Sequence, residues 1–371
     1  MPLQRARSGS SPTIAEVAAE AGVGKATAAR TLGNYGAVSA EARARVLAAA
    51  EKLRYRPNSI ARSMTTGVTH TIGVIVADVG NPFFAGVMRG IADACDAVGY
   101  SVIVLSTDET LTKEQSAVGL LIDKQVDAII LASAAVRPDE AAHILEASSR
   151  EIPVVLIDRK VRGLDLDAVV IDNRNAACHA VERLIDAGHR RIAFAWGPSF
   201  RGGTMERGLL ATTVDESLWS QSERLMGYAD ALAAAGIAFD PLLVTNCTHN
   251  EEATVGAVEA MLRSTDPPTA VLTTETDATV GALRAIRAAG LTLAEDVSVI
   301  GFDDTSWASV MHPPLTMIAQ PMLELGRAAA RHAFARIGGD RGDSVVETIP
   351  TTMIERESVA PPVRVSAADV R

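Results

Sequence analysis

The sequence predicts an α/β protein: an N-terminal helix-turn-helix head, then two lobes, each built on a doubly wound parallel sheet. Three observations predict it. Residues 13–53 carry helix caps and apolar residues at helical spacing, with no strand-like run. From His70 onward, apolar β-branched runs alternate with helical segments. That rhythm plays through once and restarts near Arg191, as two α/β units of similar size would require.

The head is read from its caps. Thr13 and Glu16 form a capping box, in which the hydroxyl caps the first helix and the carboxylate reaches back to the cap amide. Ile14, Val17, Ala18 and Ala21 share one face. Gly22-Val23 makes the turn, and a second helix is expected from Lys25 to Leu32. Ser39 caps a third, whose Val46, Leu47, Ala50 and Leu53 are expected to close a small core. In such a layout the second helix enters a DNA major groove. Charge agrees: residues 1–67 hold ten basic side chains against four acidic ones, while the chain as a whole carries −10. A basic head on an acidic body attracts phosphate at one end only.

In the body, TIGVIVAD (71–78), YSVIVLST (100–107), AIILAS (128–133) and PVVLID (153–158) read as buried parallel strands. Helices are expected near 84–98, 112–125 and 139–150. RIAFAW (191–196), LLVTN (242–246), TAVLTT (269–274) and VSVIGF (297–302) repeat the pattern. Open parallel sheets bind ligands beyond the carboxyl ends of their strands, so two facing lobes make a cleft.

Composition removes several classes. No apolar run reaches the ~18 residues of a membrane span, and no apolar segment follows the N-terminal arginines as a secretory signal would require. Cys95, Cys178 and Cys247 are odd in number, with no CxxC pair, and are expected to be buried thiols in a reducing cytoplasm. No GxSxG or HExxH is present, and "GVGKAT" lacks the upstream Gly and following Ser/Thr of a phosphate loop. An enzyme is therefore not expected, nor a catalytic residue, cofactor or metal site.

Five segments, in this order, resemble the signatures of one family: "TIAEVAAEAGVGKATAARTL", "YRPNSIARSM", "TIGVIVADVGNPFFAGVMRGI", "VSVIGFDD" and "LTMIAQP". The chain resembles the lactose-repressor (LacI/GalR) family of bacterial transcription regulators over about residues 12–358. The resemblance implies a two-lobed, periplasmic-binding-protein-like domain, a homodimer, and a chain that crosses between lobes three times. It divides the sequence into a disordered tail (1–11), the helix-turn-helix domain (12–57), a hinge helix and linker (58–69), the effector and dimerisation domain (70–358), and a second tail (359–371). The first lobe would hold about 70–172 and 317–340, the second about 173–316 and 344–358.

The implied partners are double-stranded DNA with a near-palindromic operator and a small-molecule effector. By this resemblance Lys25, Ala26 and Arg30 face base edges, and Thr27 and Tyr55 face phosphates. Arg and Lys suit guanine O6/N7, and an alanine methyl suits that of thymine. The family usually has Ser before this helix and Val-Ser within it, where this chain has Gly24, Ala28 and Ala29. Pro57 ends the third helix. Asn58 to Met64 would then be the hinge helix, with Met64 either wedged into the central base step or packed on the body of the protein.

For the effector, the resemblance points to Phe83, Phe84, Asp158, Asp172, Arg201, Arg224, Glu275 and Asp303. Phe83 and Phe84 would stack on a ligand face or simply fill a helix start. Glu275-Thr276 replaces the usual Asn-Asp, and an ionised Glu can only accept hydrogen bonds. That favours a ligand rich in hydroxyls or positively charged. An insertion between Gly197 and Arg224 brings Trp219, which would cover the cleft mouth or dock on the surface. A carbohydrate effector is the first expectation and a purine or nucleoside the alternative. The expected whole is an allosteric repressor in the cytoplasm.

Overall fold

The computed structural model describes residues 12–33, 36–55, 67–196, 217–246 and 251–362. The chain divides into two compact units, Met1–His70 and Thr71–Arg371.

The first unit is three helices: α1 (Ile14–Glu20), α2 (Lys25–Gly33) and α3 (Ala40–Lys52). The capping box closes as the spacing predicts. The Thr13 amide donates to Glu16 Oε2 at 2.6 Å, and the Glu16 amide donates to Thr13 Oγ1 at 3.3 Å. Those bonds hold the Glu16 carboxyl below its ordinary pKa. Gly22 takes φ +63°, the left-handed conformation that the α1–α2 turn needs. Ser39 caps α3 through the Ala42 amide. Val17, Ala18, Ala21, Ala28, Val46, Ala49 and Ala50 form the core. Leu47 departs from expectation, being 50% exposed. Successive helical residues are about 100° apart, and the face centred on Val46, Ala49 and Ala50 turns Leu47 to the outside.

The second unit contains two sheets, with twelve strands among the described residues. In the first sheet, β1 (Thr71–Val76), β2 (Ser101–Ser106), β3 (Ala128–Leu131), β4 (Val154–Ile157), β5 (Asp167–Ile171) and β11 (Val346–Ile349) lie in the order β11-β5-β4-β3-β1-β2. In the second, β6 (Ile192–Trp196), β7 (Val244–Asn246), β8 (Ala270–Thr273), β9 (Ser298–Phe302), β10 (Thr316–Ala319) and β12 (Thr352–Ile354) lie in the order β12-β10-β9-β8-β6-β7. Every pairing is parallel except β10 with β12. Both sheets share one winding, and in each the strand order reverses at the first strand, between β1 and β3 and between β6 and β8. Loops leaving the carboxyl ends there splay to opposite faces and open a crevice.

The covering helices are α4 (Pro82–Ala97), α5 (Leu111–Asp123), α6 (Ala142–Ser149) and α11 (Met322–Ile337) on the first sheet. On the second they are α7 (Asn173–Asp186), α8 (Trp219–Ala234), α9 (Glu251–Leu262) and α10 (Thr276–Ala288). β3, β4 and β8 are buried along their whole length, which explains why they read as continuous apolar runs. Edge strand β2 is partly exposed throughout. Helices α4 and α11 pack at Gly90 and Gly326, and α7 and α8 at Gly227, where an added Cβ would strike a backbone carbonyl at 2.0–2.2 Å.

The chain crosses between sheets after β5, after β10 and after β11. Two of the expected lobe limits shift. Residues 344–358 do not all belong to the second lobe, because β11 extends the first sheet beside β5. Likewise β10, which straddles the expected 317 boundary, pairs with β9 and so belongs to the second lobe. Ladder hydrogen bonds to a neighbouring strand decide membership here, and short runs such as VETI show no periodicity that would reveal the neighbour. Cys95 is buried as expected, whereas Cys178 is only half-buried. Burial pushes both thiols up to about 11, which keeps them protonated and unreactive. The second tail begins later than expected: Val359 packs against the core and the Ala360 amide donates to Ser298 Oγ at 3.0 Å, so the chain is still tied to the second lobe there. Cys247, residues 1–11 and 363–371 and most of the hinge lie outside the described residues.

Candidate nucleic-acid interface and effector cleft

On the head, Lys25, Ala26 and Arg30 are exposed on α2, whereas Ala28 is fully buried in the three-helix core. The residues at 25, 26 and 30 therefore lie on the side of α2 turned away from α1 and α3. Thr27 is half-buried at the start of the same helix, and Tyr55 is half-buried against the small core. Asn58 and Met64 lie outside the described residues, as does Arg201.

In the second unit, Phe83, Phe84, Asp158, Arg224, Glu275 and Asp303 line one cavity between the sheets, with Gln221 and Gln320 beside them. Each side chain is placed by a carboxyl end. Asn81 follows β1 and caps α4, accepting from the Phe83 amide at 2.9 Å, so the two phenylalanines ride on the first turn. Asp158 follows β4 and Asp303 follows β9, both with left-handed φ of 68–69°. A non-glycine residue in that conformation is uncommon and turns its side chain sharply off the strand. Glu275 follows β8 at the N-terminus of α10. Arg224 and Gln221 come from the first turns of α8.

Asp172 does not join them. It is exposed and caps α7, accepting from the Asn175 amide at 3.0 Å. A carboxylate after a strand is equally suited to capping the helix that follows, and here the cap wins.

The cleft is dense with charge. Arg224 is 7% exposed; its Nε donates to Asn173 Oδ1 at 2.7 Å and its Nη1 to the Thr274 carbonyl. The guanidinium lies 4.2 Å from the centre of the Phe302 ring. Burial lowers the pKa of Arg224 from its ordinary value, opposed by Asp158, Asp303 and Glu275. Arg159, which the sequence reading missed, bridges Asp158 and Glu109 at 2.8 Å each. Gln320, also missed, donates from Nε2 to Asp303 Oδ1 at 2.7 Å.

Burial pushes the Asp303 carboxyl up to about 6, with Arg224 and Gln320 pulling down and Asp158 pushing up. An unfolded Asp titrates near 4. The group's contribution to folding is therefore complete below about pH 4 and is lost as pH climbs through 6. Asp303→Asn is accordingly expected to raise Tm at pH 8, with the gain vanishing near pH 4. Thermal melts across that range check it; a gain that grows toward acid would contradict the assignment.

The cavity holds about 50 Å³, room for a few waters at ~10–15 Å³ each. Ligand pockets span roughly 300–1,000 Å³, so a sugar requires the lobes to part. Contacts across the lobes resist that parting. Arg162 donates to the Ser217 carbonyl at 2.7 Å and to the Ser222 hydroxyl. Trp219 packs half-buried against the first lobe, with Lys160 Nζ 4.9 Å from its ring centre. Trp219 therefore ties α8 to the first lobe. A larger groove of about 400 Å³ surrounds Arg336, but that guanidinium is already bonded to both Asp167 oxygens and the Gly342 and Asp343 carbonyls.

Residues 13–58 match the family model "Bacterial regulatory proteins, lacI family", and residues 69–357 match "Periplasmic binding proteins and sugar binding domain of LacI family". The chain belongs to the LacI family of transcriptional regulators. Within the family it is 31% identical to the catabolite control protein A of Priestia megaterium, over 93% of this chain and 98% of that one. It is 33% identical to the regulator PtxS of Pseudomonas aeruginosa, over 94% and 96% respectively. Among solved structures, a complex of the regulator CelR with cellobiose is 31% identical, with a TM-score of 0.67 over 94% of this chain and 99% of that one. The fold extends to the Lac repressor dimer bound to operator and the anti-inducer ONPF, 24% identical, with a TM-score of 0.80 over 95% and 100%. The family is one of transcriptional regulators rather than enzymes. Among the described residues no helix is long and apolar enough to cross a membrane.

Proposed function

We propose that the chain is a dimeric repressor whose affinity for a near-palindromic operator is set by a carbohydrate held between the lobes. One observation carries the effector half: Asp158, Arg224, Glu275 and Asp303, from four separate elements and both lobes, converge on one cavity at the strand carboxyl ends. A ligand touching both lobes fixes their angle. Coupling to the DNA-binding head is expected at about 1–3 kcal/mol, with DNA acting back on effector affinity by the same factor.

The nucleoside alternative needs Phe83 or Phe84 to offer a ring face. The two rings instead meet edge to face at 5.0 Å, each only 4% exposed, which favours the carbohydrate reading.

For the DNA half, Lys25, Ala26 and Arg30 read base edges while Thr27 and Tyr55 hold phosphates. Arg30→Ala is expected to cost ~1–3 kcal/mol on a site selected by the wild type, and almost nothing on random duplex. Fluorescence anisotropy on both duplexes checks it. Equal losses on the two would make Arg30 a phosphate contact and remove it from base reading.

A further inference from the structure

The cleft holds buried acceptors that lack a donor. Its two guanidiniums are anchored to the protein: Arg224 through Nε and Nη1 to Asn173 and Thr274, and Arg159 through Nε and Nη1 to Asp158 and Glu109. Two amide oxygens beside them are not. Gln221 Oε1 and Gln320 Oε1 are buried in residues only 8% exposed and have no hydrogen-bond partner among the described residues. A buried carbonyl oxygen without a donor costs free energy, and a ligand hydroxyl recovers it. Charge runs the same way. Among the described residues that line the cavity, Glu109, Asp158, Glu275 and Asp303 carry four formal negative charges against two on Arg159 and Arg224. An anion entering would give up its hydration to meet this excess.

Resting on the carbohydrate reading above, we propose that the effector is a hydroxyl-rich ligand without negative charge, and that Gln221 and Gln320 each accept a hydrogen bond from one of its hydroxyls. Phosphorylated sugars and sugar acids are rejected by the carboxylates. Amine-bearing sugars are tolerated.

Titration calorimetry and thermal shift on the full-length protein test this with matched series: glucose, glucosamine, glucose 6-phosphate and gluconate; ribose and ribose 5-phosphate; cellobiose and cellobionate. A neutral or amine-bearing member is expected to bind at least tenfold more tightly than its anionic counterpart. An anionic member binding as tightly as its parent overturns this proposal and leaves the carbohydrate reading standing. A panel with no sugar response, whether or not hypoxanthine or guanine raises Tm, overturns both.

Gln221→Leu provides the second arm. Because it removes an orphaned acceptor, its ligand-free Tm is expected to equal or exceed that of the wild type, while affinity for the best sugar falls about tenfold. A lower Tm with unchanged affinity would make Gln221 a structural residue and overturn its role.

Discussion

Arg224→Met is expected to lower the Tm of the two-lobed body by about 10 °C and to abolish effector binding. The guanidinium is 7% exposed and holds together the Asn173 amide oxygen, the Thr274 carbonyl and the Phe302 ring, with Asp303, Asp158 and Glu275 in its field. Taking away one partner of a buried charged network costs ~3–5 kcal/mol, because the other partners stay buried. At roughly 2–4 °C per kcal/mol for a body of this size, that gives the stated drop. The loss should be smaller at pH 5 than at pH 8. Arg224 pulls the Asp303 pKa down, so without it the carboxyl rises above about 6 and takes up a proton in mild acid, relieving the bare charge. Arg224→Lys is not expected to rescue, since a point ammonium cannot span two acceptors and stack on a ring. Calorimetric melts at the two pH values check this; a wild-type Tm in the Met variant would show that the network contributes nothing to folding.

Gly227→Ala is expected to be comparably damaging, by a different route. An alanine Cβ there would lie 2.0 Å from the Arg174 carbonyl oxygen and 3.0 Å from the Cys178 amide nitrogen, both backbone atoms of α7. Neither can turn aside as a side chain would, so α7 and α8 must separate. Overpacking costs ~1–3 kcal/mol where neighbours can yield and more where they cannot. Because α8 also delivers Ser220, Gln221 and Arg224 to the cleft, separation should weaken effector binding alongside stability. Gly256→Ala on α9 is the control. Nothing lies within 4 Å of a Cβ there, so helix propensity alone should leave Tm equal or slightly raised. Equal melting of Gly227→Ala and wild type would mean that the helices do not pack this closely.

Legibility from sequence followed how local each cause is. The Thr13–Glu16 box, the Ser39 cap and the buried strands depend on neighbours within a few residues, and all were readable. Leu47 was not, because which side of α3 faces inward is decided by α1 and α2 rather than by spacing within α3. The exchange of β10 and β11 between lobes depends on partners more than a hundred residues away in the case of β11, which pairs with β5. In the cleft, Asp158, Glu275 and Asp303 follow strands, where a signature segment or an apolar run points directly at them. Asp172 occupies the same kind of position yet caps a helix, since one carboxylate serves either task. Arg159 lies beside Asp158 and could have been noticed as a charge next to a predicted site. Gln221 and Gln320 carry no signal of their own; only the folded chain shows that their amide oxygens are buried without donors among the described residues.

A ligand in this cleft is expected to change DNA affinity. The direct measurement is anisotropy on a selected duplex with and without a saturating sugar that binds the full-length protein, repeated with Asp303→Asn. A change of about 5–150-fold in the wild type, absent in the variant, is the predicted result. A sugar that occupies the cleft and leaves DNA affinity unchanged would contradict it.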